Sequence, residues 1–163
     1  MASWSGMRHK LENQYLAESV RGRIQYFCTT YRESHDREGA AAIRLDGREL
    51  VRGGYFQNWT KARFFPKDEK YNKRMEENFA FLDDTALRLG VFDQRCFYRA
   101  FDEFTNQSID ASLQSEDLIV RIFAVLDRRV GKRRLERMKE TLREEDEIFN
   151  MFFAIRADAE GVL

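Results

Sequence analysis

Apolar positions along the chain change period near residue 23 and again near residue 54, and those changes predict the order of elements. Met7, Leu11, Tyr15 and Leu16 recur at helical spacing, so Met7 to Val20 is predicted as an amphipathic helix. Arg21-Gly22 ends it, with Gly22 suited to a left-handed cap. From Arg23 the period falls to two. Ile24, Tyr26 and Cys28 alternate with Gln25, Phe27 and Thr29, and aromatic and β-branched residues continue to Tyr31, which predicts a strand.

The polar stretch Ser34 to Gly39 is predicted as a turn. Ala41, Ile43 and Leu45 then alternate again and run into Asp46-Gly47. A D-G pair between two strand-like runs is a strong hairpin signal, because both residues tolerate the positive φ of a tight turn. The returning strand is Arg48 to Arg52, stopped by Gly53-Gly54. Three antiparallel strands in meander order follow from this reading.

Beyond the two glycines the period is helical. Tyr55 to Phe65 forms one predicted helix, ending near Pro66, and Lys67 to Leu89 another, with Phe79, Leu82, Ala86 and Leu89 on one stripe and Gly90 as its cap. Asp93 caps a helix carrying Phe97, Ala100, Phe101 and Phe104. Ser115-Glu116-Asp117 opens one carrying Ile119, Ile122, Phe123 and Leu126. The last helix holds Ile148, Phe149, Phe152 and Ile155, with Gly161 just past it. The fold class is therefore α+β: an N-terminal helix, a three-stranded antiparallel meander, and a mostly helical C-terminal two-thirds packed on it. No Pro-, Gly- or Ser-rich stretch and no repeat divides residues 1–163, so a single domain is expected.

Composition adds a limit on partners. The chain has 28 basic and 28 acidic residues, so attraction to nucleic acid or anionic lipid must come from a local patch. No apolar run near the N-terminus reads as a secretory signal and no run is long enough to span a bilayer, so no membrane partner is expected. Cys28 and Cys96 form neither a C-x-x-C pair nor a disulfide framework. Reduced thiols without a signal point to the cytoplasm.

Three local runs carry a family resemblance. Gly22-Arg23-Ile24-Gln25-Tyr26, Tyr31-Arg32-Glu33-Ser34-His35-Asp36 and Leu126-Asp127-Arg128-Arg129-Val130-Gly131-Lys132-Arg133 resemble a family of small, uncharacterised bacterial proteins, and Ile43 to Glu49 fits the same pattern. The resemblance spans Trp4 to about Ala159, with Tyr55 to Asn78 matching least. It implies a bacterial source and no assigned activity.

Two polar clusters are candidate sites. In the first, Tyr31 and Arg32 end a strand and Ser34, His35 and Asp36 occupy the connection after it. His35 titrates near neutral pH and could serve as a general base, with Asp36, Asp46 or Glu49 orienting it. Consecutive Ser, His and Asp do not make a catalytic triad, whose members come from separated positions, and all three are turn formers. The structural turn is the favoured reading over the catalytic pair His35 and Asp36. His9 stands between Arg8 and Lys10, which disfavours a cation, and no metal motif or cofactor motif occurs, so no metal and no cofactor are expected.

The second cluster is the run from Arg128 to Arg137. On one helix, Arg129, Arg133 and Arg137 would form a positive ridge, and guanidinium groups bind phosphate or carboxylate through paired donors. With Tyr31 and Arg32, the residues Arg128, Arg129, Lys132 and Arg133 are the candidate ligand-binding set. Neighbouring acids favour a solvated face instead, with Lys132 pairing Glu136 and Arg143 pairing Glu147. Alternatively Asp127-Arg128-Arg129 is semi-buried, with an arginine bonding into the sheet or to Asp36. The leading expectation is a non-enzymatic binding or regulatory protein acting on a macromolecular partner, another protein. The alternatives are an enzyme acting on a phosphate-bearing substrate through His35, and a nucleic-acid-binding protein using the basic helix.

Overall fold

The computed structural model describes residues 3–30, 39–54 and 82–163. The predicted helix over Tyr55 to Phe65, most of the one over Lys67 to Leu89, and the residues Tyr31, Arg32, Ser34, His35 and Asp36 lie outside the described residues.

Helix α1, Trp4–Lys10, starts at Ser3, whose hydroxyl accepts the Gly6 N–H, and continues through a wide π-turn at Leu11–Tyr15. The helix predicted to run to Val20 breaks at Leu16, where ψ is 136°. The reason is tertiary. The Ala17 N–H donates to the Leu126 carbonyl (2.9 Å) and the Arg128 N–H to the Tyr15 carbonyl (2.8 Å), so this segment pairs through a single antiparallel bridge, Leu16 opposite Asp127. Gly22 does adopt positive φ (82°), in the turn leading to the sheet.

Strands β1 (Ile24–Thr30), β2 (Gly39–Leu45) and β3 (Arg48–Gly53) form an antiparallel sheet in that order. Asp46 and Gly47 both have positive φ (51° and 83°), the tight hairpin turn their chemistry predicts. Beyond the Arg44–Glu49 pair the register shifts so that Ile43 faces Val51, leaving Leu50 as an extra residue that bends β3. At Gly39 a Cβ would lie 1.8 Å from the Thr29 carbonyl oxygen and 2.4 Å from Gln94 Oε1, so only glycine fits where β2 passes the next layer.

That layer is helical. Helix α2, Asp84–Leu89, is capped by the Asp83 side chain and ended by Gly90 with φ 71°. The extended Asp83 stops any continuous helix from Lys67 to Leu89; its carboxylate accepts the Ala86 N–H instead (2.9 Å). Helix α3, Gln94–Thr105, is capped by Asp93 and buries Phe97, Ala100, Phe101 and Phe104 on one stripe. A short helix, α4 at Ile109–Leu113 with Ser108 as its cap, was not anticipated from the apolar period. Helix α5, Leu118–Val125, opens on Asp117 and is apolar on nearly every side. Burying residues such as Leu118, Ile119, Ile122 and Phe123 is worth about 1.5–3 kcal/mol each over exposure, which makes α5 the centre of the fold. Helices α6, Lys132–Met138, and α7, Glu147–Ala159, complete the chain.

The inner face of the sheet meets α3 and α5 through aromatic rings. Tyr26 stands edge-on to Phe123 (5.1 Å) and to Phe97 (6.4 Å). One buried cluster extends from Met7 through Tyr26, Phe97 and Phe123 to Ala157. The architecture is α+β, as the sequence pattern predicts. Among the described residues no helix is long and apolar enough to cross a membrane.

Candidate binding site at the arginine-rich corner

The run Leu126 to Arg137 is not one helix. After α5 the chain turns through Asp127–Val130, and α6 begins only at Lys132 with Gly131 as its cap. Asp127 causes the break. Its carboxylate is fully buried, and Oδ1 accepts both the Arg129 N–H (2.7 Å) and Arg129 Nε (2.9 Å), while Oδ2 accepts Arg129 Nη2 (3.0 Å). A carboxylate that bonds the backbone two residues on closes a turn and competes with the helix. The expected ridge of Arg129, Arg133 and Arg137 therefore does not form, because Arg129 sits before the helix and is held by its own turn.

Arg129 stacks as well as pairs. Its guanidinium lies 5.7 Å from the Tyr15 ring centroid and 5.5 Å from that of Phe104, and hydrogen bonding to Asp127 raises its pKa above the ordinary value. Among the described residues its carboxylate partner is Asp127, two residues away, and no bond from it to the sheet is present; Asp36 lies outside the described residues.

The residue that reaches deepest is Arg156 of α7, which composition and period did not single out. It is 2% exposed. Nη1 donates to the carbonyls of Val125 (3.0 Å) and Asp127 (2.8 Å), Nη2 to that of Val130 (2.5 Å), and Nε to Glu160 Oε1 (2.9 Å). Val125 ends α5, so its carbonyl has no partner within the helix, and this guanidinium supplies one there and bonds the turn that follows. Ser19 also donates to Glu160 Oε1 (2.6 Å). Burial pushes the Glu160 carboxyl up, but the bonds from Ser19 and Arg156 and the charges of Arg156 and Lys132 outweigh it and hold the group below the usual carboxylate range. A carboxylate so held is a weak base, and its partner Ser19 is correspondingly a weak nucleophile.

Around this floor lies an open cleft of about 570 Å³, with Arg128 and Lys132 on one side and Glu18 and Ser19 on another. Arg128, Lys132, Arg133 and Arg137 are exposed, and among the described residues none of them forms an ion pair. By contrast Arg129 pairs with Asp127, Arg134 with Asp110, and Arg156 with Glu160. The expected Lys132–Glu136 pair does not form. Glu147 pairs with Arg88 (3.4 Å), not Arg143, because residues 142–146 are not helical and do not bring Arg143 to its side.

The ends of β1 and β2 that flank residues 31–38 lie beside the first half of α3. Gly39 packs on Gln94 and Thr30 hydrogen-bonds Tyr98, near the start of α3, whereas Arg129 covers Phe104 near its end. Ten residues of helix separate Gln94 from Phe104, about 15 Å. His9 is exposed on α1 beside Asn13 (3.2 Å). Among the described residues no three His, Cys, Asp or Glu side chains are grouped to hold a metal ion. Cys28 and Cys96 are both free, and burial pushes both thiols up, that of Cys96 to about 12, so both stay protonated and unreactive at neutral pH.

No curated protein and no solved structure matches this chain. The model of the SF0329 protein family matches residues 3–157, nearly the whole length, and the chain belongs to that family.

Proposed function

We propose that this protein is a non-enzymatic binding or regulatory protein whose partner is another protein, held through acidic groups at the corner formed by Arg128, Lys132 and the cleft beside them. One observation carries this reading: the arginine-rich run is divided by role. Arg129, Arg134 and Arg156 are engaged by carboxylates, whereas Arg128, Lys132, Arg133 and Arg137 are exposed and have no such partner among the described residues. Exposed cations beside a cleft meet an anionic surface at little desolvation cost and set the rate and specificity of encounter. The interleaved Glu18, Glu136 and Glu140 make the surface mixed in sign, which suits a folded protein better than a uniformly anionic nucleic-acid backbone. A bacterial source and a reducing, cytoplasmic compartment belong to the same reading, supported by the family resemblance and the two free thiols.

The test pairs capture with reconstitution. Tagged wild-type chain and an Arg128→Glu/Lys132→Glu variant are expressed at native level, and any stoichiometric companion of the wild type is purified and titrated against both. The expected result is binding weakened about tenfold or more in the variant, with its thermal melt unchanged. Absence of a stoichiometric protein, or equal binding by the variant, overturns the reading. Retention of nucleic acid, with affinity falling steeply as salt rises, would replace it with nucleic-acid binding.

A further inference from the structure

Arg133, Glu136, Arg137 and Glu140 recur at i, i+3, i+4 and i+7, a spacing that in most surface helices carries the apolar stripe. Here it carries charge. All four side chains are exposed and border one shallow depression of about 550 Å³ on the outer face of α6 and the turn that continues it. Among the described residues none of the four joins an ion pair. The i,i+4 relation places Arg133 and Arg137 in one ridge and Glu136 and Glu140 in the ridge beside it. The face is thus two parallel stripes of opposite sign.

Such a face is complementary to itself in one orientation. A two-fold axis parallel to α6 exchanges left and right while keeping the helix direction, so the arginine stripe of one chain meets the glutamate stripe of the other, twice over. An antiparallel approach would set arginine against arginine. We propose that this protein self-associates through a parallel, two-fold contact of α6, with Arg133 and Arg137 of each chain paired to Glu136 and Glu140 of the other. Equal numbers of acidic and basic residues mean that two copies do not repel as a whole. Leu163 is the one large exposed hydrophobic side chain among the described residues, so the contact has no apolar centre and is weak, transient and salt-sensitive. The inference goes beyond the proposed function because its occupant is a second copy and not another protein; it shares Arg133, Glu136, Arg137 and Glu140 with that mixed-sign surface but does not use Arg128, Lys132 or the cleft beside them.

Analytical ultracentrifugation of the full chain tests it. At about 20 mM salt the wild type should show concentration-dependent dimerisation, with the apparent Kd rising about tenfold or more at about 500 mM. Arg133→Glu/Arg137→Glu makes the face wholly acidic and Glu136→Arg/Glu140→Arg makes it wholly basic. Each variant alone should remain monomeric, and their equimolar mixture should associate. Glu18→Arg/Arg128→Glu, which alters the cleft but keeps the net charge at zero, should dimerise like wild type, which separates this contact from the partner site. A wild type that stays monomeric at low salt, a dimer indifferent to salt or to the stripe variants, or a mixture that stays monomeric overturns the proposal. Unchanged thermal melts of the variants establish that the loss of association is not a loss of fold.

Discussion

Two arginine-rich segments adjoin in sequence and use the same residue type in opposite ways. At the corner between α5 and α6, Arg129 is locked to the buried carboxylate of Asp127 and stacked on two rings, and Arg156 fills the carbonyls of Val125, Asp127 and Val130 from below. On α6 itself, Arg133 and Arg137 are exposed beside Glu136 and Glu140 and form no ion pair with any described residue. The difference lies in what surrounds them. A guanidinium that finds bidentate acceptors away from water becomes part of the framework, and one that finds only water remains available to a partner.

The strongest way to break that comparison is to remove the buried guanidinium. Arg156→Met takes the donor from the Val125 and Val130 carbonyls, leaves the Asp127 carbonyl only the Val130 N–H, and removes the buried cation of Glu160, and should cost about 3–5 kcal/mol in urea unfolding. Arg156→Lys keeps the charge but replaces a planar fork with a point donor, so its loss should be intermediate. A cost below about 1 kcal/mol for the methionine variant would mean that the corner is held by Leu16–Asp127 pairing and not by Arg156. Next in size is Asp127→Ala, which frees Arg129 and the turn's N–H together and should cost about 2–3 kcal/mol in the same assay. Asp127→Asn retains one oxygen acceptor and should recover part of that loss.

The two regions were also unequally legible in the sequence, for the same physical reason. Features that depend on a few consecutive residues could be read: the Asp46-Gly47 hairpin, the caps at Asp93 and Asp117, the left-handed Gly90 and the apolar stripe of α3. Ser108 and Asp83 carry local cap signals of the same kind, which mark the starts of α4 and α2. The corner could not be read this way. Asp127 is two residues from its guanidinium, so that turn had a local signal, but the break at Leu16 depends on a partner more than a hundred residues away, and Arg156 meets its carbonyls some 30 residues upstream. In helical spacing Arg129, Arg133 and Arg137 look alike, and only packing separates the first from the other two.

Asp117 sharpens the comparison from the acidic side. Like Asp127 it is buried, but it caps α5 by accepting the Ile119 N–H. Burial pushes its carboxyl up to about 7, the bond from Ile119 acts against this, and Glu103 adds to it. The folded pKa lies above the unfolded one, so the native state binds the extra proton between about pH 4 and pH 7. The stabilisation from this group is therefore complete below about pH 4 and is lost as pH rises through 7. Asp117→Asn keeps a cap without a charge. Relative to wild type it should gain about 1–2 kcal/mol between pH 4.5 and pH 7.5, measured by urea unfolding at each pH. A constant difference between the two proteins across that range would show that the Asp117 carboxyl titrates normally.

The smallest effect is expected where the exposed arginines stand. Arg133→Ala and Arg137→Ala remove side chains that hold no ion pair with a described residue and lie on the solvent face of α6. Alanine is the best helix former, so the backbone loses nothing, and relief of the Arg133–Arg137 repulsion partly offsets any lost packing of the aliphatic stems. Each variant should unfold within about 0.5 kcal/mol of wild type at low protein concentration. The contrast with Arg156→Met then becomes a ratio of roughly ten between two arginines of one small protein. If Arg133→Ala or Arg137→Ala instead cost as much as Asp127→Ala, these side chains would belong to the framework, and a binding surface built on their freedom would have to be abandoned.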